Sequence, residues 1–226
     1  FDRAAAQAVA ECTASELAVL VARNLVQVNP DGWMALHQVE ADFACRQLPS
    51  TAAERHKAYY HSLVERDNED WQLIEVSYPQ IRQALDNLPD NSAELIGWVW
   101  SLRVYWQRRG RGAEHIHWAK RALRAVRSND YFRAEATLLN NIGLGYANLG
   151  EKQRALQYYE QALATARSIG NRRAEGSFLG NLGKAFYCLG YMQEALSYHG
   201  QALIIAREIG NRRGEAADLS NIGLVH

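Results

Sequence analysis

Ile169-Gly170-Asn171-Arg172-Arg173 recurs forty residues later as Ile209-Gly210-Asn211-Arg212-Arg213, and the rest of the chain is read outward from that repetition. The same offset relates Glu135, Glu175 and Glu215, then Asn141, Asn181 and Asn221, then Gly143, Gly183 and Gly223. Leu149-Gly150 returns as Leu189-Gly190, Ala155-Leu156 as Ala195-Leu196, and Gln161-Ala162-Leu163 as Gln201-Ala202-Leu203. A fixed period of this length marks a stack of supersecondary units, none of which can bury its apolar flank alone. Within each unit the apolar spacing predicts two helices. Gly150 and Gly190 fall where a first helix must end in a left-handed residue; Gly170-Asn171 and Gly210-Asn211 fall where a second helix ends. Gly143, Ala155 and Ala162, with their counterparts Gly183, Ala195 and Ala202, mark places of close helix approach, and Tyr146, Tyr159 and Phe186 fill the gaps between.

Asn141-Ile142-Gly143, Tyr146, Gly150, Ala155, Tyr159 and Ala162 stand at spacings that resemble the tetratricopeptide repeat. The longer period is similar to the variant found in kinesin light chains and bacterial regulators. The likeness covers residues 131–226, the last repeat being truncated. Trp106, Gly110 and Ala122 extend it to a degenerate helix pair at 91–130, where Arg103 stands for the small glycine and His115 for the small alanine. The resemblance implies a right-handed α-solenoid whose first helices line a concave face. It places Asn140, Asn141, Asn148, Asn181, Lys184, Tyr187, Ser220 and Asn221 there, as the surface for a protein or peptide ligand. In peptide-binding members an asparagine at the position of Asn141, Asn181 and Asn221 bonds the ligand backbone, a task that suits an amide because it both donates and accepts. The other reading is that these asparagines bond one another or the next repeat. Arg172-Arg173 and Arg212-Arg213 are expected in loops between repeats, solvated or against local carbonyls, with an anion site as the alternative.

Residues 1–50 do not repeat. Asp2 to Glu11 reads as a helix, and Ser15 is the expected N-cap of a second helix that carries Leu17, Leu20, Val21 and Leu25 on one face. Val26–Val28 and Trp33–Leu36 read as strands around the turn signal Asn29-Pro30-Asp31-Gly32, and a helix is expected from His37 to Leu48. Helix, helix, hairpin, helix is a winged-helix pattern. Phe1-Asp2, Glu16-Leu17, Leu20, Leu25-Val26 and Leu36-His37-Gln38 together resemble the winged-helix domain of STAND-class signalling ATPases, also called NB-ARC-like. That resemblance implies a parent with an upstream nucleotide-binding domain that holds ADP or ATP with Mg and oligomerises on activation. It makes His37 the contact to the ADP phosphate, although Gln38 departs from the aspartate of the family motif. An imidazole can donate to a phosphate oxygen; the other reading is that His37 caps or packs under the wing. Residues 51–90 read as a helical bridge, with a capping box at Thr51-Ala-Ala-Glu54 and an apolar stripe of Tyr59, Tyr60, Leu63 and Val64.

Residues 1–90 carry 7 Lys/Arg against 14 Asp/Glu, a net of −7, and residues 91–226 carry 18 against 11, a net of +7. The second predicted helix offers Arg23 as its one cation, so the winged-helix segment is a poor match for a phosphate backbone. Cys12, Cys45 and Cys188 are too far apart in sequence to suggest a zinc site or a disulfide framework, and a cytoplasmic setting is expected. No apolar run reaches membrane-spanning length. No phosphate loop and no His-Glu-x-x-His occurs, and His115 and His117, two apart on a helix, make a poor metal pair. No cofactor or metal is therefore expected in this stretch, and no catalytic role. Trp98, Trp100, Tyr105, Trp106 and Trp118 are expected as core beside the first repeat. The chain opens at Phe1 and closes inside a helical pattern, as expected for a piece of a larger protein.

The expected fold is thus mainly α: a winged-helix domain (1–50), a helical bridge (51–90), a degenerate pair (91–130) and the repeats (131–226). The leading functional reading is the sensor portion of a STAND switch. The alternatives are a stand-alone adaptor and, more weakly, a DNA-binding regulator.

Overall fold

A computed structural model of the chain describes residues 5, 6, 8, 13–22, 26–30, 34–36, 50–68, 70–90, 92–127 and 132–225. Among these, ten helices and one two-stranded sheet form two compact units, Phe1–Leu88 and Pro89–His226.

In the first unit, α1 (Ala14–Ala22) is opened by Thr13 and not by Ser15. The Thr13 hydroxyl accepts from the Glu16 amide at 3.3 Å, and the Thr13 amide donates to the Glu16 carboxylate at 2.8 Å. This reciprocal pair satisfies two otherwise free donors and starts the helix one residue before Ser15. Strands β1 (Val26–Val28) and β2 (Met34–Leu36) pair antiparallel, Val26 opposite Leu36 and Val28 opposite Met34. The helix expected after His37, and His37 itself, lie outside the described residues. Helices α2 (Ser50–Arg66) and α3 (Trp71–Asp86) pack on each other. Their shared core is Tyr60, Leu63 and Val64 against Ile74, Ile81 and Leu85, with Tyr59 half-buried. Helix α2 begins at Ser50, so Thr51 sits within its first turn. Helix α3 is capped by Asp70, whose side chain accepts from the Leu73 amide at 3.0 Å.

The second unit is a run of helix pairs. Helices α4 (Glu94–Arg108) and α5 (Gly112–Arg127) form the first, α6 (Phe132–Asn148) and α7 (Lys152–Ser168) the second, α8 (Arg172–Leu189) and α9 (Met192–Glu208) the third; α10 (Arg212–Val225) opens a fourth. Each helix packs on the next, and the first helices also touch in series, α4 with α6, α6 with α8, α8 with α10. The small residues do what their spacing predicts: Ala155, Ala162, Ala195 and Ala202 are buried at the crossings. A Cβ on Gly143 would stand 2.6 Å from the Tyr159 ring, so only glycine lets α6 lie this close to α7. Gly150 and Gly190 close first helices at φ 78° and 86°, and Gly110 closes α4 in the same way at φ 65°. The atypical pair therefore keeps the turn of the repeat although its core differs.

Two expectations are corrected in this unit. Trp98, Tyr105, Trp106 and Trp118 are core, but Trp100 is 58% exposed. At about 100° per residue it points roughly 200° away from Trp98. Asn171 does not end α7; it opens α8, its side chain accepting from the Ala174 amide at 3.1 Å, and Asn211 does the same for Gly214. Gly170 alone makes the left-handed turn before it, at φ 67°. No helix among the described residues is long and apolar enough to cross a membrane.

Candidate functional site

Because successive first helices touch, side chains at three- and four-residue spacing on each of them share one face. On α8 that stripe runs Arg173, Ser177, Asn181, Lys184; on α6 it runs Thr137, Asn140, Asn141, Leu144; on α4 it runs Trp100, Arg103, Gln107. Together they line an open groove of about 720 Å³. A smaller hollow of about 130 Å³ continues between α8 and α10, touching Asn181, Lys184, Asp218 and Asn221.

The structure thus brings five of the sequence-derived face residues, Asn140, Asn141, Asn181, Lys184 and Asn221, to these two hollows. Asn148, Tyr187 and Ser220 are exposed and line neither. The Asn181 amide donates to the Asn140 side-chain oxygen at 2.7 Å. That bond crosses from one repeat to the next and holds both amides at the groove floor. It also leaves each with further donor or acceptor capacity, since a primary amide has two of each. Asn141 is only 2% exposed.

Sequence reading missed Trp100, Arg103, Gln107, Thr137, Arg173 and Ser177. A signal existed: stepping the forty-residue period back from Asn140 lands on Trp100, and from Ala147 on Gln107. Arg173, expected in a loop, is the second residue of α8. Its neighbour Arg172 is not against carbonyls but pairs with Glu175 at 2.8 Å and with Glu208. Burial works to raise the Glu175 carboxyl, and hydrogen bonds from Arg167 and Arg172 overcome it, holding the group below the ordinary carboxylate range.

The charge in the groove is one-sided. Arg103, Lys152, Arg173 and Lys184 line the larger hollow, and no Asp or Glu is among its lining residues. Lys152 donates to the Cys188 carbonyl at 2.7 Å. Arg103 lies over the Trp100 ring at 5.6 Å, and its Nε is buried without a hydrogen-bond partner among the described residues. Behind it, His115 is buried and stacks on Trp106 at 5.4 Å. Burial, and then the charge of Arg103, push that imidazole down to about 4, so it is neutral at ordinary pH. Such an arrangement can bind: it offers amide donors and acceptors flanked by cations and one exposed indole. Among the described residues no three His, Cys, Asp or Glu side chains cluster as a metal site would require.

Models of the tetratricopeptide repeat match residues 136–169 and 179–213, which fall on α6–α7 and α8–α9. No curated protein matches the chain. Among solved structures, the chain resembles a Rap protein complexed with competence and sporulation factor, at 15% identity and a TM-score of 0.61 over 83% of this chain. It also resembles aspartyl phosphate phosphatase F from Bacillus subtilis, at 12% identity and a TM-score of 0.68 over 94% of this chain. A putative kinesin light chain from Podosopora anserina, described as nearly identical TPR-like repeats, aligns at 15% identity and a TM-score of 0.58 over 73% of this chain and 82% of its own. The chain spans 52% of the Rap protein and 55% of the phosphatase. At these identities the likeness establishes the fold, a nearly all-helical tetratricopeptide-type solenoid.

Proposed function

We propose that this tetratricopeptide-repeat chain is a recognition platform for a peptide or protein, seated in the groove of its first helices, and that in a longer parent it serves as the sensor of a STAND-type switch. The observation that carries the first part is the groove itself: a hollow of about 720 Å³, floored by the bonded Asn140–Asn181 pair and crossing α4, α6 and α8. An extended segment presents backbone amides and carbonyls at regular intervals, and side-chain amides fixed along a face are suited to meet them. The Rap protein, solved with competence and sporulation factor, offers a parallel for a ligand-bearing solenoid. What supports the second part is the Leu36-His37-Gln38 resemblance together with a helix, α1, followed by the β1–β2 hairpin, a part of the helix, helix, hairpin, helix order expected of a winged helix. In that setting a ligand shifts the switch only by the difference in its affinity for the two states.

Two measurements test this. Panning a library of random peptides against the chain should enrich sequences whose affinity falls about tenfold or more, roughly 1.4 kcal/mol, in Asn181→Ala with Ser177→Arg. Enriched peptides indifferent to those changes would move the site off the groove. In the parent, His37→Ala should speed ADP release and raise basal signalling; release and signalling at wild-type levels would remove His37 from any switch.

A further inference from the structure

We infer that Phe186, Tyr191 and Tyr198, with Glu160 and Glu194 supplied by α7 and α9, form a surface site for a primary ammonium group, the lysine side chain of a partner polypeptide. The three rings line neither hollow of the first helices, so the site stands apart from the groove described above.

The preceding unit shows what such a stack holds. Tyr146 and Tyr158 lie face to face with ring centres 5.4 Å apart. Lys120 of α5 sets its ammonium 5.3 Å from one ring centre and 5.8 Å from the other, and it donates to the Tyr146 hydroxyl at 2.9 Å. Arg154 lies over the Tyr146 ring at 5.6 Å and donates to Glu151 at 2.6 Å. A ring face attracts a cation within about 6 Å through its quadrupole. This stack is therefore furnished with cations by the chain itself.

One period on, the rings are kept and the charges are inverted. Phe186 and Tyr198 stack at 5.1 Å with their planes 7° apart. The forty-residue offset puts Glu160 in the place of Lys120, Glu194 in that of Arg154, and Tyr191 in that of Glu151. Tyr191 stands edge-on to Phe186 at 6.2 Å, and its amide donates to the Phe186 carbonyl at 3.0 Å, which fixes the backbone that carries the third ring. Both carboxylates are exposed. Among the described residues no Lys or Arg lies over these three rings, and neither glutamate belongs to an ion pair.

Packing accounts for a stacked pair in each unit. It does not account for two cations becoming carboxylates while a carboxylate becomes a third ring. Those exchanges turn a stack that holds its own ammonium into one that lacks it and carries the charge to attract it. Phe186 also lacks the hydroxyl that Lys120 uses on Tyr146, so the donors of an incoming cation fall to the carboxylates. That favours a primary ammonium, with three N–H donors, over a quaternary one with none. Tyr191 is 52% exposed, so the site is open on one side. An open site suits a side chain anchored by its own polypeptide, since free small molecules are held in enclosed pockets.

The experiment is an NMR titration of the whole chain with Nα-acetyl-lysine methylamide and with its norleucine analogue, which keeps the aliphatic stem without the charge. The lysine probe should give saturable shifts at Phe186, Tyr191 and Tyr198 that weaken with added salt, and the norleucine probe should give none. Glu194→Gln should weaken the lysine probe at least about threefold. Glu160→Lys, which restores an ammonium at the place of Lys120, should abolish the shifts, and so should Tyr191→Ala. All three side chains are exposed, and unchanged amide signals from α4 to α6 would show that the fold is kept. Equal response to the two probes, absence of shifts at the rings, or shifts that persist in Glu160→Lys and Tyr191→Ala overturns the site. Tighter binding of the trimethyl-lysine or arginine analogue overturns the choice of a primary ammonium.

Discussion

Gly143, Gly183 and Gly223 hold one position in three successive units, yet their surroundings differ. A Cβ on Gly183 would meet the His199 ring at 2.6 Å, and His199 is pinned by a 3.1 Å bond from its Nδ1 to buried Asp218. A Cβ on Gly223 meets nothing within 4 Å. Gly183→Ala should therefore destabilise the fold by about 1–3 kcal/mol. Gly223→Ala should stabilise it by roughly 0.5 kcal/mol through helix propensity. Urea melts of the two variants decide the matter, and changes of the same sign would show that the repeat position, not the neighbour, sets the requirement. His115 gives a second prediction at this scale. Its folded pKa is lowered from 6.5 to about 4, so the unfolded chain binds a proton that the folded chain refuses. The resulting stability is complete above the ordinary value and is lost as pH falls toward 4, an effect on the order of 3 kcal/mol. His115→Phe keeps a ring on Trp106 and removes two buried nitrogens that have no hydrogen-bond partner among the described residues. The variant should lose less stability than the parent between neutral pH and about pH 4.5. Parallel losses in the two proteins would assign the acid sensitivity elsewhere.

Among the elements, the joints between units carry their own regular chemistry. At the two joints after α7 and α9 a left-handed glycine ends the second helix, an asparagine caps the next first helix, and an arginine near the end of the one pairs with a glutamate in the first turn of the other. Gly170, Asn171 and the Arg167–Glu175 pair make one such joint; Gly210, Asn211 and the Arg207–Glu215 pair make the next. The cap is the stronger device, because it satisfies an amide that nothing else in the helix can reach. Asn171→Ala should lower stability by about 1 kcal/mol. Arg167→Ala, which removes a half-exposed partner, should cost less than that. Chemical denaturation of both variants tests the ranking; a larger loss for Arg167→Ala would make the ion pair the main tie.

Over the whole molecule, charge and burial sort by unit. The acidic excess of residues 1–90 and the basic excess of residues 91–226 nearly follow the division at Leu88 and Pro89. Within the second unit Arg127, Arg167 and Arg207 meet glutamates at the joints, whereas Arg103, Lys152, Arg173 and Lys184 line the larger hollow, whose lining holds no Asp or Glu. A solenoid can arrange this because its inner and outer faces are assembled from different helices, so each face can be tuned without disturbing the other.

The forty-residue period was enough to read the helix pairs, their turns and their close crossings. These depend on backbone conformation and side-chain size within one or two neighbouring units, and Gly150, Ala155 and Gly190 declare them directly. The asparagines of the first helices were legible for the same reason. What only the tertiary structure decided is what meets across units. Examples are the Asn140–Asn181 bond, the exposure of Trp100, the His199–Asp218 pair in place of an aromatic contact, and the gathering of Arg103, Lys152, Arg173 and Lys184 along one hollow. A period records what every unit shares. The groove is made where units differ, and which differing side chains face one another depends on how the helices stack.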